Sequence, residues 1–370
     1  AKAEKINDFF VSLPGVEKVW AKGPTKSSVH LKRGVDVDLR VVKEESFGSA
    51  LQYFTGSKEH NVATRRVAIS RGLKLNEYGV FRGQKQIAGK TEEEVYRAIG
   101  MAYIEPEMRE DQGEVVLALR GELPKLIRLE DIKGDLHCHS DWDGGENSIE
   151  EMAKMAMERG YEYIGISDHT KFLRIENGLD EKQLLKQKEA IKKINDKFKK
   201  QNKKFRVLQG CETNILNDGS VDIKDEVLSQ LDYVIAGVHS SMKMERKEMT
   251  ERMIRAMKNP NIDIISHPTG RLIGKRDEYQ VDLEKILKAA KETATILEIN
   301  SWPERLDLKD TYIRMAKKIG VKMIINTDSH QKDQMHFIEF GVAQARRGWA
   351  EASDIINTLG IEELKNLLKI

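Results

Sequence analysis

From residue 134 onward, short apolar runs alternate regularly with longer segments in which apolar positions recur every three or four residues. The runs are Gly134–His139, Tyr163–Ser167, Arg206–Glu212, Tyr233–His239, Ile262–His267, Thr295–Asn300 and Lys322–Asp328. Their length and content of β-branched and aromatic residues predict strands. Between most of them lie segments of helical period with Lys/Glu faces: Ser148–Arg159, Asp180–Lys200, Glu245–Lys258, Val281–Thr293 and Leu308–Ile319. Seven such β–α units predict an α/β fold with a parallel sheet and helices outside it. About 230 residues suits a closed or nearly closed barrel of the TIM type, although periodicity alone also allows an open, doubly wound sheet.

The first third has a different rhythm. Strand-like runs at Val29–Leu31 and Val35–Val42 precede a helical segment from Ser46 to about Phe54 and a second from Asn61 to Arg71. More strand-like pieces follow at Lys74–Phe81, and the Gly/Lys-rich stretch Gly83–Gly89 reads as a hairpin loop. This predicts a smaller α+β domain over residues 1–120. Residues 121–133 read as a linker that packs rather than a loose one, and residues 134–370 as the barrel.

Composition adds little about fold and more about setting. The chain has 370 residues, 39% hydrophobic and 33% charged, with a formal net charge of +2. That excludes a polybasic protein, and no apolar run approaches the length of a membrane span. A soluble, cytoplasmic chain without a membrane partner is expected. Residues 1–133 carry 23 basic and 20 acidic side chains, a modest excess that is compatible with DNA but weak evidence for it. Two cysteines, Cys138 and Cys211, make neither a disulfide framework nor a four-thiolate metal site, and both read as core residues.

The nine histidines change the picture. Seven lie after residue 134, and six of these follow strand ends. The first strand ends in Asp135-Leu-His137-Cys-His139 and the second in Ser167-Asp-His169. The third ends in Gly210-Cys-Glu212, the fourth in Gly237-Val-His239, the fifth in Ser266-His267-Pro and the seventh in Thr327-Asp328-Ser-His330. In a parallel barrel those ends converge on one mouth. His137 and His139, two apart on a strand, point the same way. Imidazoles and carboxylates gathered there suit Zn²⁺, Mn²⁺ or Fe²⁺. With no Ser/His/Asp or activated-Cys arrangement, metal-assisted hydrolysis is the economical chemistry. Arg271, just past the fifth strand, is a candidate phosphate ligand, and a surface salt bridge is the alternative for it.

These motifs closely resemble those of the PHP (polymerase and histidinol phosphatase) phosphoesterase family, over about residues 133–370. The resemblance implies a distorted (β/α)7 barrel binding up to three divalent ions. By that pattern His137, His139, Glu212 and Asp328 surround the first ion. Glu212 bridges to a second held by His239 and His267, and Asp143, His169 and His330 hold the third. The acid before Gly144 arrives one residue earlier than the family's usual spacing, so Asp141 and Glu146 are alternatives to Asp143. His137, His139, Glu212 and Asp328 are the expected catalytic centre.

The first third also carries a resemblance. Gln52-Tyr53-Phe54-Thr55-Gly56-Ser57, Asn61, Arg65, Leu75-Asn-Glu-Tyr78 and Tyr103–Glu110 resemble the end of the palm and the nascent-base-pair subdomain of family X DNA polymerases. The order polymerase-then-PHP is that of bacterial and archaeal members. The resemblance implies that Tyr53 and Phe54 lie against the incoming sugar, that Gly56 allows close backbone approach, and that Asn61 and Arg65 approach the minor groove. Of Val35-Asp36-Val37-Asp38, the context matches the strand carrying only the third catalytic carboxylate, Asp38, which would be a Mg²⁺ ligand. The earlier Asp-x-Asp strand and the Gly-Ser phosphate motif are not found, and the chain begins with Ala. It therefore reads as a C-terminal fragment or a shortened relative, not expected to polymerise. The expected function is a metal-dependent phosphodiesterase on DNA with a 3′ end, single-stranded or gapped. A 3′–5′ exonuclease leads, with abasic-site or 3′-phosphatase activity possible beside it. A small phosphomonoesterase of the histidinol-phosphatase type and a non-catalytic DNA-binding module are the alternatives. The oligomeric state is left open.

Overall fold

A computed structural model describes residues 3–368 as two units, with the division between Leu123 and Pro124. The first unit opens with helix α1 (Ala3–Val11) beside an antiparallel sheet of β1 (Val16–Lys22), β2 (Lys26–Leu31) and β3 (Val35–Arg40), in that order. Asn7 ties helix to sheet: its amide donates to the Ala3 and Pro24 carbonyls, and it accepts from the buried Ser27 hydroxyl at 2.6 Å. Sequence periodicity misses β1 because six of its seven residues are exposed and charges interrupt the alternation.

Helices α2 (Phe47–Thr55) and α3 (Lys58–Ser70) follow, the latter capped by Ser57, whose hydroxyl accepts the His60 N–H at 3.2 Å. Strands β4 (Lys74–Asn76), β5 (Gly79–Arg82) and β6 (Lys85–Ala88) form a second antiparallel sheet. The stretch read as a loop, Gly83–Gly89, is mostly strand: the turn is confined to Gly83 and Gln84, with Gly83 at a φ of 61°. Polar side chains on this edge strand hid it from the hydrophobic pattern. Helices α4 (Glu92–Ala98) and α5 (Glu114–Arg120) complete the unit. Among the described residues, its core holds two buried pairs of an acid with a basic side chain. Arg109 reaches Glu92 at 2.6 Å and donates to the Ile104 carbonyl. Glu114 accepts from the His60 ring at 2.7 Å and from the Asp111 and Gln112 N–H groups.

In the second unit, Leu126, Ile127 and Ile132 of the 121–133 stretch are buried, and the Ile127 N–H bonds to the Ala350 carbonyl. The α/β alternation then runs β7 (Gly134–Cys138), α6 (Ile149–Glu158), β8 (Tyr163–Ile166), α7 (Glu181–Lys200), β9 (Arg206–Gln209) and β10 (Glu212–Asn214). It continues with α8 (Asp225–Leu228), β11 (Ile235–Gly237), α9 (Arg246–Met257), β12 (Ile264–Ile265), α10 (Leu283–Thr293) and β13 (Ile296–Asn300). Helix α11 (Asp310–Ile319), β14 (Met323–Asn326), α12 (Ile338–Arg347) and α13 (Ile361–Leu368) close it. All strand pairs are parallel, in a sheet β7-β8-β9 and a sheet β10-β11-β12-β13-β14. Single bridges, His169–Glu212 and Cys138–Ser329, join the two sheets into a ring. The fold is thus a distorted seven-stranded α/β barrel, in which the expected third strand is broken at Gly210-Cys211 into β9 and β10. A side chain at Gly210 would meet the Tyr233 ring at 2.4 Å. Among the described residues, no helix is long and apolar enough to cross a membrane.

One apolar residue from each stave, from Leu136 in β7 to Ile324 in β14, fills the barrel floor. Cys138 and Cys211 are fully buried on the other side of the strands, facing the helices. A bulge in β7 makes this possible, since a three-residue step (Asp135 to Cys138) pairs with the two-residue step from Ile164 to Ile166.

The His60–Glu114 pair generates a stability prediction. Burial pushes the Glu114 carboxyl up, but the His60 ring and three backbone N–H groups more than offset this and hold it below its ordinary value. With its folded pKa below the unfolded one, its stabilisation is complete above the ordinary glutamate range, about 4.3, and is lost as pH falls through the folded value. Glu114→Ala should destabilise the first unit by about 3 kcal/mol at neutral pH. Hydrogen exchange across residues 58–70 in urea reads this, and the deficit should shrink in acid.

Candidate metal centre

The seven strand ends bring their polar residues to one mouth. Glu212, at the start of β10, is its centre. Its Oε1 faces His267 Nε2 at 2.9 Å and His239 Nε2 at 3.3 Å, and its Oε2 faces His169 Nε2 at 3.2 Å and His137 Nε2 at 3.4 Å. Asp328 Oδ1 lies 3.3 Å from His139 Nε2 and 3.6 Å from His137 Nε2. His330 stacks on His139 at 4.1 Å between centroids, and His169 stacks on it at 4.2 Å. Eight of the nine residues expected to hold metal therefore share one cluster. His336 lies elsewhere, bonded to the Asp333 carbonyl and packed on Phe337.

The ninth, Asp143, plays a different part. Its Oδ2 accepts from His139 Nδ1, His169 Nδ1 and the His169 backbone N–H, each at 2.8 Å, and its Oδ1 accepts the Gly145 N–H. A carboxylate so occupied stands behind two imidazoles and fixes both with Nε2 facing inward. In this arrangement Asp143 stands behind the two imidazoles, while His139, Asp143 and Asp168 also lie close enough together to share one ion; spacing locates the loop but not which way its acid points. The alternatives do not replace it, because Asp141 and Glu146 are exposed and Glu146 is bonded to the Gln331 amide.

Other histidines are backed in the same way. His137 Nδ1 meets Glu298 Oε1 at 2.6 Å, and His239 Nδ1 meets Asn214 Oδ1 at 2.7 Å. Asn214 is itself held by Asp222, which also accepts from Thr170 and Thr213. Glu298 went unrecognised in the sequence. Its signal was a single carboxylate in an otherwise apolar run, Ile296-Leu-Glu-Ile-Asn300, since a buried charge in such a strand demands a partner. Burial pushes the Glu298 carboxyl up, and the His137 imidazole more than compensates. Glu212 and Asp328 are likewise held well below their ordinary range by surrounding imidazoles, against the effect of burial. Two candidate ligands sit on unfavourable backbone, His267 at a φ of 28° and Asp328 at 57°, a conformation side chains other than glycine adopt at a cost.

These residues fit divalent metal. The Nε2 atoms of His137 and His139 are buried without a hydrogen-bond partner, although both face carboxylate oxygens. Buried polar atoms in that state require a cation or a proton between them, and neutral imidazole with carboxylate is a donor set for zinc, manganese or iron. Among the described residues, groups of three candidate ligands within reach of one ion are His137/His139/Glu212, His169/Glu212/His239, His139/His169/His330 and His139/Asp143/Asp168.

Arg271 is not among the residues lining the mouth. Its guanidinium donates to the backbone carbonyls of Arg305 and Leu306, which corrects its expected role as a phosphate ligand. The arginines that do line it are Arg276 and Arg305, the latter 3.6 Å from Asp328. Arg305 lies in an irregular loop after β13, where no periodicity could point to it.

In the first unit, Asn61 is buried, donating to the Tyr53 carbonyl at 2.7 Å and accepting from Gln52 at 2.8 Å. Its amide joins α2 to α3, which corrects the expectation that it approaches a groove. Tyr53, under the Arg65 guanidinium at 5.4 Å, and the exposed Phe54 lie just before Gly56, whose φ is 76°. Asp38 is exposed on β3 and paired with Ser28 and Lys26. Among the described residues, the groups able to hold a metal all lie in the second unit, and none includes Asp38.

Both units of the chain are similar to known proteins. The PHP domain family model matches residues 135–302, and the DNA polymerase beta thumb model matches residues 50–110. A probable phosphatase of Acetivibrio thermocellus is 31% identical over 206 residues, which span 53% of this chain and 78% of that protein. The chain belongs to the PHP family. The thumb match covers the polymerase-like residues Gln52–Glu110, so a polymerase-like region precedes the PHP domain, the order the motifs predict. The DNA polymerase/3′-5′ exonuclease PolX of Bacillus subtilis (strain 168) is 39% identical over 99% of this chain, and the chain spans 64% of that relative's length. A histidinol phosphate phosphatase of Lactococcus lactis, solved with zinc, L-histidinol and phosphate, aligns with a TM-score of 0.43 at 19% identity, covering 58% of this chain and 93% of that one. Membership of the PHP family makes the chain a metal-dependent phosphoesterase.

Removing either carboxylate behind the histidines should weaken metal binding without removing a ligand. Asp143→Ala and Glu298→Ala are each expected to lower Mn²⁺ affinity about 10- to 100-fold, read by competition with a chelating dye.

Proposed function

We propose that this chain hydrolyses phosphodiester bonds of DNA from a 3′ end, as a 3′–5′ exonuclease. The observation that carries the reading is the cluster in which four imidazoles face the two oxygens of the buried Glu212. Up to three divalent ions, Zn²⁺, Mn²⁺ or Fe²⁺, are assigned to it. His137, His139, Glu212 and Asp328 would hold the first, and Glu212, His239 and His267 the second. His169 and His330, with His139 beside them, would hold the third. Such ions, when bound, lower the pKa of water toward neutrality and neutralise charge on a phosphoryl group.

The chain's own residues do the remaining work. Asp143, Glu298 and Asn214 keep the imidazoles in the tautomer that presents Nε2 to the mouth. Arg276 and Arg305 supply positive charge on the cavity wall for the phosphate being cleaved and its neighbour. The apolar floor keeps water out from below. The thumb match at residues 50–110 supports DNA as the partner, with Tyr53, Phe54 and Arg65 as the groups nearest to it, and a strand with a free 3′ end, single-stranded or in a gap, as the substrate. Abasic-site cleavage and 3′-phosphate removal are compatible with the same centre.

Single-stranded DNA labelled at its 3′ end, incubated with Mn²⁺, should release labelled nucleotide. EDTA should stop the release, and His137→Ala should slow it by about 100-fold or more. Histidinol phosphate should be turned over far more slowly than DNA. Comparable turnover of the two would favour a small-molecule phosphomonoesterase instead.

A further inference from the structure

We propose that Trp302 is the stacking surface for the base of the 3′-terminal nucleotide, so that the site selects a terminal residue that carries a base and is unstacked from its neighbours. The inference rests on the exonuclease reading and specifies what that site grips. Trp302 lines the same cavity, about 410 Å³, as Asp328, His330, Arg276 and Arg305. A volume of that order suits a small ligand such as one nucleotide rather than a duplex end. The cavity thus offers three kinds of surface: metal-ligating groups, two guanidinium groups, and one large flat ring. The first two match a phosphodiester. The indole has no place in that chemistry, because it neither ligates metal nor exchanges a proton near neutral pH and can only donate one hydrogen bond. What it contributes is a flat apolar face.

The ring is held ready for such use. Phe337 meets it edge-on, with centroids 5.2 Å apart at 85°, and Phe337 is itself packed against His336 and Phe340. The Trp302 backbone N–H donates to Asn300 Oδ1 at 3.0 Å, and its backbone carbonyl accepts the Arg305 and Leu306 N–H groups at 2.8 and 3.0 Å. Arg271 clamps the far side of the same turn through the Arg305 and Leu306 carbonyls. One short turn therefore fixes an aromatic face and a phosphate-seeking arginine in a constant relation. That is what a nucleotide requires, since its base and phosphate are themselves joined at a fixed reach. Among the described residues, the other apolar groups on the wall, Leu173, Met242 and Leu272, have no flat face.

The test compares kcat/KM for two single-stranded oligonucleotides that differ only at the 3′-terminal residue, one with a normal nucleotide and one with a stable abasic analogue. Base–aromatic stacking is worth enough that the wild-type chain should prefer the normal end by about 10- to 100-fold. In Trp302→Ala that ratio should fall to near one, and Trp302→Leu, which keeps apolar bulk against Phe337 without a flat face, should do the same. Trp302→Phe should keep most of the ratio. A purely structural role for Trp302 would slow both substrates alike and preserve the ratio, which would overturn the proposal, as would a wild-type chain indifferent to the missing base. A wild-type chain that releases nothing from either oligonucleotide would instead overturn the exonuclease reading, and the stacking surface with it.

Discussion

The second unit depends on one buried carboxylate. Glu212 has lost almost all of its solvent and stands within 3.4 Å of four imidazole nitrogens. Burying an unpaired carboxylate costs several kcal/mol, so every element that reaches the mouth is arranged around keeping that charge compensated. The four rings come from β7 and from the loops after β8, β11 and β12, and the parallel ring is what brings those four strand ends together. Asp143, Glu298 and Asn214 then settle which nitrogen of each ring looks inward. Remove the ring of strands and the histidines are scattered over 130 residues of chain (His137 to His267); remove the backing groups and they are free to turn the wrong nitrogen to the centre.

Polar and apolar parts of the barrel are separated along its axis, not across it. The floor takes one apolar residue per stave, while the mouth takes charge. The positive φ values at His267 and Asp328 lie at that transition. There the backbone must leave the pleat of a strand and aim a side chain back over the barrel, and the strain is tolerated because the surrounding hydrogen bonds over-determine the position. Asp307, for example, accepts from the Thr269 and Gly270 N–H groups and so braces the loop that carries His267.

Much of this was legible in the sequence because two independent patterns coincided. Strand-length apolar runs gave the barrel, and histidines or acids at their ends marked the mouth. Spacing reports proximity and not direction: it puts Asp143 at the mouth, but not that its oxygens accept from His139, His169 and Gly145. Glu298 was invisible to a search confined to strand ends. Trp302 and Arg305 sit in a loop where no period exists to read. In the first unit, β1 and β6 escaped because exposed edge strands carry charges where alternation is expected. Asn61 looked available for a partner until its amide was seen to be occupied by Tyr53 and Gln52.

The break in the third stave has a mechanical meaning. Because β9 and β10 pair in different sheets, the ring is two curved plates held at two seams by single bridges, one of them between His169 and Glu212. The candidate metal ligands are divided between the plates, His137, His139 and His169 on one and Glu212, His239, His267, Asp328 and His330 on the other. Any cation shared across that divide acts as a rivet. An ion bound there would add its binding free energy to the closure of the ring, because it would hold groups from both plates at once.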